Sequence, residues 1–196
     1  MSLALLLGIV AAGFQVVAFA LYNKNIFKKE SDPNTSTWLM WAVLSVLNAF
    51  TYSKSTADPA KFVLSNVSAA ATLLTFVYCL FWKKFKPIPP FDYAIIAVGT
   101  LGGVVWLVFN SVAYGNIIVV GAVLISFYPL YRGVWRNPRV EKPWPWYVWG
   151  LAYSVNTLVV VVNWRGRWTD LVYPVAMLLA HPPIGWLANR KPRLVR

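Results

Sequence analysis

The sequence contains few charged residues and very few acidic ones. Of its 196 residues only 12% are charged, and Asp and Glu together number 6. Hydrophobic residues make up 59% of the chain, and its mean hydropathy is +0.57. Soluble domains average about 25% charged and about 45–50% apolar residues. The composition therefore excludes an ordinary soluble domain and predicts a protein whose surface faces lipid.

The chain is also poor in residues that carry chemistry. Its single cysteine, Cys79, cannot form an intrachain disulfide. His181 is the only histidine, and no cysteine or carboxylate lies at helical spacing from it, so neither a metal site nor a catalytic triad is predicted. The sequence has no glycine-rich phosphate loop. These absences favour a protein that is not an enzyme and needs no cofactor.

Long apolar runs account for most of the sequence. Each is close to the about 20 residues that a membrane-spanning helix needs. No Asp, Glu, Lys or Arg lies in the middle of a run, which disfavours transport coupled to protons or sodium. The predicted fold is an all-α membrane protein with seven transmembrane helices. The seven runs are residues 3–22, 37–53, 62–82, 92–109, 112–131, 145–163 and 169–188.

Basic residues are concentrated in the connections after the first, third and fifth runs and in the C-terminal tail. Because cytoplasmic loops are rich in Lys and Arg, this bias predicts that the N-terminus is outside and the C-terminus cytoplasmic. We expect the same charge to attract anionic lipid headgroups. Nucleic acid is excluded as a partner, since no basic stretch is interleaved with exposed aromatics on a soluble module. These segments hold 14 of the 18 basic residues, namely Lys24, Lys28, Lys29, Lys83, Lys84, Lys86, Arg132, Arg136, Arg139, Lys142, Arg190, Lys191, Arg193 and Arg196.

Rare residue types recur at a constant offset of 108 positions, the distance from Asn48 to Asn156. The recurrence predicts two parallel three-helix repeats, residues 1–86 and 111–196, joined by a linker helix over residues 87–110. The matching pairs are Trp38 with Trp146, Trp41 with Trp149 and Asn48 with Asn156, and Ser45 falls opposite Tyr153.

The repeated asparagines are the leading candidates for a binding site. Asn48 and Asn156 both lie eleven residues into their runs, near the predicted bilayer midplane. Transporters built from repeats bind their solute at that depth, and an uncharged amide suits a neutral, hydroxyl-bearing solute. The alternative is that these amides and hydroxyls only tie neighbouring helices together. The predicted substrate-binding residues are Asn48, Asn156, Asn66, Trp41, Trp149, Ser45 and Tyr153.

Prolines within the runs predict places where the helices bend. Pro129, Pro145 and Pro174 are the predicted hinges, and the pair Pro182–Pro183 is expected to break the hydrogen-bond ladder of the last helix locally and so to form a hinge there. His181 directly precedes that pair. We interpret it either as a histidine that is simply hydrogen-bonded near the cytoplasmic end or as a group that senses pH or gates.

The fifth run ends in Ser126-Phe127-Tyr128-Pro129-Leu130, the sixth opens at Pro145, and Asn66 and Pro174 lie in the third and seventh runs. With the triplet–linker–triplet order, these residues resemble the SWEET sugar transporters and the wider PQ-loop superfamily. The resemblance implies seven helices, a pocket between the repeats and a sugar as the solute. The chain departs from the family at Val175, where the family has a pocket asparagine.

Two functions fit these patterns. The first is passive, uniport-type transport of a small neutral solute, with a sugar as the expected class. The second is a non-transporting membrane scaffold or receptor whose basic cytoplasmic face docks a partner. A water-accessible cavity at the midplane favours transport, whereas a solidly packed core with both repeated asparagines bonded to neighbours favours a scaffold. Gly99 and Gly103 add a small-residue pattern typical of close helix packing or a homo-oligomer face.

Overall fold

The computed structural model of the protein describes residues 2–31, 33, 35–82, 89–109 and 111–191, and regular structure in these residues is helical. Five of the predicted cytoplasmic basic residues, Lys83, Lys84, Lys86, Arg193 and Arg196, lie outside the described ranges. A single 3-10 turn spans Pro138–Val140. The α-helices are α1 (Leu3–Phe27), α2 (Thr35–Thr56), α3 (Pro59–Trp82), α4 (Pro90–Phe109), α5 (Val112–Ser126), α6 (Tyr128–Arg136), α7 (Pro143–Val162) and α8 (Thr169–Ala188).

The helices identify an integral membrane protein. Within the described residues, five segments are long and apolar enough to cross a membrane, corresponding to α1, α3, α5 with α6, α7 and α8. The other two predicted runs also fold as helices, α2 with 22 residues and α4 with 20. Large apolar side chains point outward, among them Phe81, which is 83% exposed, and Leu74, which is 69% exposed. Such a surface is stable when lipid covers it.

The predicted hinge prolines have different effects on the backbone. Pro129 follows the break between α5 and α6 at Phe127, because its ring has no N–H to continue the helical ladder. Pro145 lies in the first turn of α7, where a missing N–H costs no helical bond. Pro174 lies inside α8 without ending it.

Pro182 and Pro183, which were expected to break the helical hydrogen-bond ladder locally, do not end the last helix. Helix α8 continues through both prolines to Ala188. The ring of Pro182 packs against Gly150 of α7 so closely that a Cβ at position 150 would lie 2.6 Å from its Cγ. This contact supports the helix on one side where the prolines remove backbone hydrogen bonds.

Each long helix packs against a defined set of neighbours. Helix α3 lies between α1 and α2, and α8 lies between α5 and α7. Helix α1 also packs on α7, and α2 packs on α5. Helix α4 lies against α5 and α2, and Gly99 of α4 faces Leu44 of α2, so this glycine serves packing within the chain. We call the end where α3 and α8 begin the Lys61 end, and the end where α2 and α7 begin the Trp146 end.

Candidate functional site

An internal cavity of about 60 Å³ lies between the helices. Five of the seven predicted binding residues line it, namely Asn48, Trp41, Trp149, Ser45 and Tyr153. None of the lining side chains is Asp, Glu, Lys or Arg. The other polar lining residues are Gln15, Ser65, Ser68, Thr72 and His181, and the other aromatic ones are Phe19, Trp38, Phe127, Trp146 and Tyr173.

Asn48 is buried and fixed by a partner on α5. The Nδ2 group of Asn116 donates to Asn48 Oδ1 at 3.0 Å and to Thr51 Oγ1 at 2.9 Å. Thr51 donates in turn to the Leu47 carbonyl oxygen at 2.8 Å. Asn116 was not predicted from the sequence. The sequence shows only that a residue with an amide side chain lies near the start of the fifth run.

The two repeated tryptophans differ in their hydrogen bonding. Trp41 Nε1 donates to Ser126 Oγ at 2.9 Å. Trp149 is 1% exposed, and its Nε1 has no hydrogen-bond partner among the described residues. Its ring packs edge-on against Phe19, with centroids 5.1 Å apart, and lies tilted against Trp146 at 4.9 Å. A buried donor that is left without an acceptor is uncommon and costs free energy.

A chain of polar groups crosses the bundle at the cavity. Gln15 Nε2 donates to Ser68 Oγ at 2.9 Å and to the Tyr153 hydroxyl at 3.5 Å. The Tyr153 hydroxyl lies 3.0 Å from that of Tyr173. Gln15 therefore joins α1 to α3 and α7, while its Oε1 is buried with no hydrogen-bond partner among the described residues.

His181 contributes both a ring and a nitrogen to the wall. Its Nδ1 lies 2.7 Å from the Met177 carbonyl oxygen. Because a carbonyl oxygen only accepts, Nδ1 carries the proton, and Nε2 of the neutral ring is an acceptor. The ring packs among Tyr153, Phe127 and Trp149, with centroids 5.0, 5.2 and 5.6 Å away. Its hydrogen bond agrees with the first of the two interpretations from sequence.

Two predicted binding residues lie away from the cavity. Asn156 is fully buried but is not part of the wall, and both of its side-chain polar atoms have no hydrogen-bond partner in the described residues. Asn66 is exposed and accepts from Ser53 Oγ at 3.2 Å. Ser65 and Ser68, which share a helix face with each other and not with Asn66, line the cavity instead.

Aromatic side chains close the bundle at the Trp146 end. This aromatic cluster consists of Tyr22, Trp38, Trp146 and Trp149. The Tyr22 ring lies 5.1 Å from Trp38, 6.0 Å from Trp146 and 5.6 Å from Trp149. Beneath it the buried Glu141 accepts from the Tyr22 hydroxyl at 3.1 Å and from Trp146 Nε1 at 3.4 Å.

A second cavity, of about 240 Å³, lies on the far side of the aromatic cluster. Its wall includes Tyr22, Glu141 and the hinge residue Pro129. Trp38 and Trp41 line both cavities. These two indoles are therefore part of the partition between the inner cavity and the larger one.

Charged side chains close the opposite, Lys61 end. This ionic cluster is centred on Lys61 of α3, whose Nζ lies 2.6 Å from Asp170 Oδ2 of α8. Lys61 is 0% exposed and Asp170 is 1% exposed. Tyr52 of α2 donates to the Asp170 carbonyl oxygen at 2.7 Å, and Arg167 Nη2 lies 3.5 Å from Asp170 Oδ2. Asp58 pairs with Arg165 at 3.2 Å at the more exposed edge.

From the sequence, these charged residues were expected in connections or at helix starts, and their burial and pairing were not predicted. The sequence shows only a lysine and an aspartate at the starts of two apolar runs. The two residues can pair because α3 and α8 begin on the same side of the bundle. Within the described residues, no three His, Cys, Asp or Glu side chains lie close enough together to hold a metal ion.

Comparison with known proteins adds no family. No protein-family model matches the chain, and neither a curated protein nor a solved structure matches it. The function is therefore inferred from the residues of the two cavities and from the clusters that close them.

Proposed function

We propose that the protein is a passive transporter of a small neutral solute and works by alternating access. The observation that carries the proposal is an uncharged, polar and aromatic cavity between two clusters that each join different helices. Opening one cluster while the other stays closed exposes the cavity to one side at a time.

The cavity wall suits a neutral solute. Its amides, hydroxyls and indole donate and accept hydrogen bonds, and its rings pack against apolar faces of a ligand. The wall contains no carboxylate and no Lys or Arg, so it offers no ionic partner to a charged solute or to a coupling ion. Coupled transporters place ionisable groups in the membrane interior for their coupling ion. Uniport is therefore the mode that this wall supports.

The packing of the helices supports two related halves. In each proposed repeat the third helix, α3 or α8, lies between the first and the second. Across the halves, α1 packs on α7 and α2 packs on α5, which is the exchange that a two-fold axis along the membrane normal produces. This pattern agrees with repeats over 1–86 and 111–196 and a linker over 87–110, and with the resemblance to SWEET transporters.

The clusters are suited to act as gates. The ionic cluster joins α3 and α2 to α8, so it connects the two halves at the Lys61 end. The aromatic cluster joins α1 and α2 to α7 at the Trp146 end. The break at Phe127, just before Pro129, lets α6 move relative to α5. With the orientation predicted from charge, the Lys61 end faces outside and the larger cavity faces the cytoplasm.

Basic residues beyond the larger cavity would contact anionic lipid headgroups. Arg132 and Arg136 are exposed on α6. The Arg190 guanidinium lies over the Trp135 ring, 4.5 Å from its centroid, and donates to the Trp135 carbonyl oxygen. Arg and Trp together are typical of a membrane interface.

The test is uptake by proteoliposomes that contain the purified protein. Labelled neutral solutes, including sugars, should equilibrate without an ion gradient. Asn48→Ala should slow uptake at least tenfold because the wall loses an amide, and Asn66→Ala is the matched control because Asn66 lies on the exposed surface. No uptake across a panel of sugars, polyols and neutral amides would contradict the proposal.

One observation favours the second candidate, a non-transporting scaffold. The cavity is small, and Asn48 is bonded to Asn116 as a residue that only ties helices together would be. In that case Asn48→Ala would lower thermal stability, no solute would cross, and vesicle binding through the basic surface would persist in the variant.

A further inference from the structure

We propose that α6 and the end of α8 form one binding site for the phosphate of an anionic lipid, built from Arg132, Arg136 and Arg190. This site narrows the contact with anionic headgroups proposed above to three residues, and its occupation does not depend on transport. Its support is the spacing of the two arginines on α6, the lack of a carboxylate beside them, and the contacts that hold Arg190 against α6.

Helix α6 turns one face towards α8 and carries its arginines beside that face. The Tyr131 hydroxyl donates to a carbonyl oxygen of α8 at 2.6 Å, and Trp135, one turn further along, contacts Arg190. Arg132 and Arg136 each directly follow one of these aromatic residues, so they lie about 100° further round the helix and one turn apart. Both are exposed. The pair therefore lies on one face of α6, next to the side that Arg190 reaches.

The charge of this pair is not balanced by a neighbouring carboxylate. Residues 128–140 contain no Asp or Glu. The next residue, Glu141, is 5% exposed and accepts two hydrogen bonds at the aromatic cluster. Within the described part of the chain, Arg132 and Arg136 form no ion pair. Like charges one turn apart on a helix repel each other, so an anion that contacts both removes an unfavourable interaction.

Arg190 brings a third guanidinium group from the end of α8. Its Nε donates to the Leu187 carbonyl oxygen at 3.3 Å, and its Nη2 donates to the Trp135 carbonyl oxygen at 3.1 Å. Its guanidinium carbon lies 4.5 Å from the Trp135 ring centroid and 5.9 Å from that of Trp186. The Nη1 donors have no partner among the described residues. A guanidinium held in this way suits phosphate oxygens, and a phosphate bound by all three arginines would join α6 to α8.

Aromatic side chains around the arginines favour a lipid as the source of the phosphate. Tyr128 is 58% exposed, Trp135 52% and Trp186 60%. Tyrosine and tryptophan are enriched at the level of the headgroups, where lipid phosphates lie. With the orientation predicted from charge, this end faces the cytoplasm, and the cytoplasmic leaflet carries anionic lipids. A soluble phosphate compound would gain nothing from the exposed rings.

Native mass spectrometry of the purified protein in detergent measures lipid binding directly. Phosphatidylglycerol is the anionic probe, and phosphatidylcholine with the same acyl chains is the zwitterionic one. The wild-type protein should bind phosphatidylglycerol about tenfold more tightly than phosphatidylcholine. Arg132→Gln with Arg136→Gln should weaken phosphatidylglycerol binding about tenfold, because two cations are lost, and should leave phosphatidylcholine binding unchanged.

The matched control is Lys24→Gln with Lys28→Gln. These two lysines are exposed, lie four residues apart at the end of α1, and belong to the same end of the bundle as Tyr22. Their removal changes the net charge by the same amount, yet phosphatidylglycerol binding should weaken less than about twofold. Circular dichroism melting shows that both double variants are folded.

A conservative variant tests the part that α8 contributes. Arg190→Lys keeps the positive charge but removes the planar group that stacks on Trp135. Phosphatidylglycerol binding should weaken about threefold, because the remaining ammonium group is not held beside α6. Wild-type affinity in this variant would overturn a site shared between α6 and α8.

The remaining outcomes distinguish this site from the functions proposed above. If both double variants weaken phosphatidylglycerol binding equally, the site is overturned, and only a general attraction of the basic surface for anionic lipid stands. If the wild-type protein binds both lipids equally, that general attraction fails as well. If inorganic phosphate displaces the lipid at millimolar concentration, the ligand is a soluble phosphate and the lipid site is overturned. Transport is measured separately by uptake, so its failure would leave the lipid site standing.

Discussion

Helices α2 and α7 carry tryptophan and asparagine at positions 108 residues apart, yet their polar atoms have different surroundings. On α2, Trp41 and Asn48 are held by Ser126 and Asn116 of α5. On α7, Trp149 Nε1 and both polar atoms of Asn156 have no partner among the described residues. The same residue types are therefore hydrogen-bonded on one side of the bundle and buried without partners on the other.

The difference arises from the helices that pack against them. Helix α2 packs on α5 and α7 packs on α1. At the same offset from Ser126 and Asn116, α1 has Ala18 and Gly8, which are buried and carry no polar side-chain atom. A larger residue cannot replace Gly8, because a Cβ there would overlap the Ala60 carbonyl oxygen. Close packing of α1 on α3 thus leaves Trp149 Nε1 and the amide of Asn156 without polar partners on α1.

The largest expected effect comes from breaking the buried ion pair between α3 and α8. Lys61→Met should lower the free energy of unfolding by about 3–5 kcal/mol, because Asp170 would stay buried without its main cation. Chemical unfolding in detergent micelles, followed by tryptophan fluorescence, measures the change. Arg165→Met is the control, since it removes the half-exposed partner of Asp58 and should cost at most about 1 kcal/mol.

A double variant separates charge from packing at this position. Lys61→Met with Asp170→Leu removes both charges, so it should recover most of the lost stability. A double variant as unstable as the single one would show that the loss comes from packing and not from the unpaired charge of Asp170.

The asparagine pair gives the next largest effect. Asn116→Leu should destabilise the protein by about 1–3 kcal/mol, because Asn48 and Thr51 lose a buried donor. Asn156→Leu removes an amide that has no partner and should be neutral or stabilising. Thermal melts of the two variants compare them directly. Equal losses would mean that Asn156 is paired, and the contrast between α2 and α7 would disappear.

The tryptophan pair gives a smaller effect. Trp41→Phe and Trp149→Phe both replace an indole by a smaller phenyl ring. Only Trp41→Phe breaks a hydrogen bond, the one to Ser126. Trp41→Phe should therefore be less stable than Trp149→Phe by about 1 kcal/mol. A difference of the opposite sign in the unfolding free energies would count against an unpaired indole at Trp149.

The smallest effect comes from supplying the missing partner. Ala18→Ser places a hydroxyl on α1 at the position that matches Ser126 on α5. If the hydroxyl accepts from Trp149 Nε1, the protein should gain about 0.6 kcal/mol, the average for hydrogen bonds between membrane helices. Unchanged stability would show that the indole is out of reach from α1.

The helices could be predicted from the sequence, and the partners of their side chains could not. Each of the seven apolar runs corresponds to helical structure, because run length reflects the thickness of the membrane. The repeated tryptophans Trp41 and Trp149, which the sequence offered as binding residues, lie in the cavity wall. Asn66 was predicted to bind and lies on the surface, since depth in a helix does not tell which face a residue occupies.

Partners across helices depend on which helices are neighbours. Asn116 and Ser126 were overlooked because the sequence does not state that α5 packs on α2. Lys61 was counted as a charge in a connection because its carboxylate is 109 positions away. Such pairs become visible only when the arrangement of the bundle is known.

The distance along the chain between Lys61 and Asp170 also sets an order of events during synthesis. At about 5–20 residues per second, the aspartate is made roughly 5–20 s after the lysine. During that time the ammonium group must stay in water or among headgroups, which the length of a lysine side chain permits at a helix end. A chain that stops before its last helix keeps this lysine without the carboxylate that neutralises it in the finished protein.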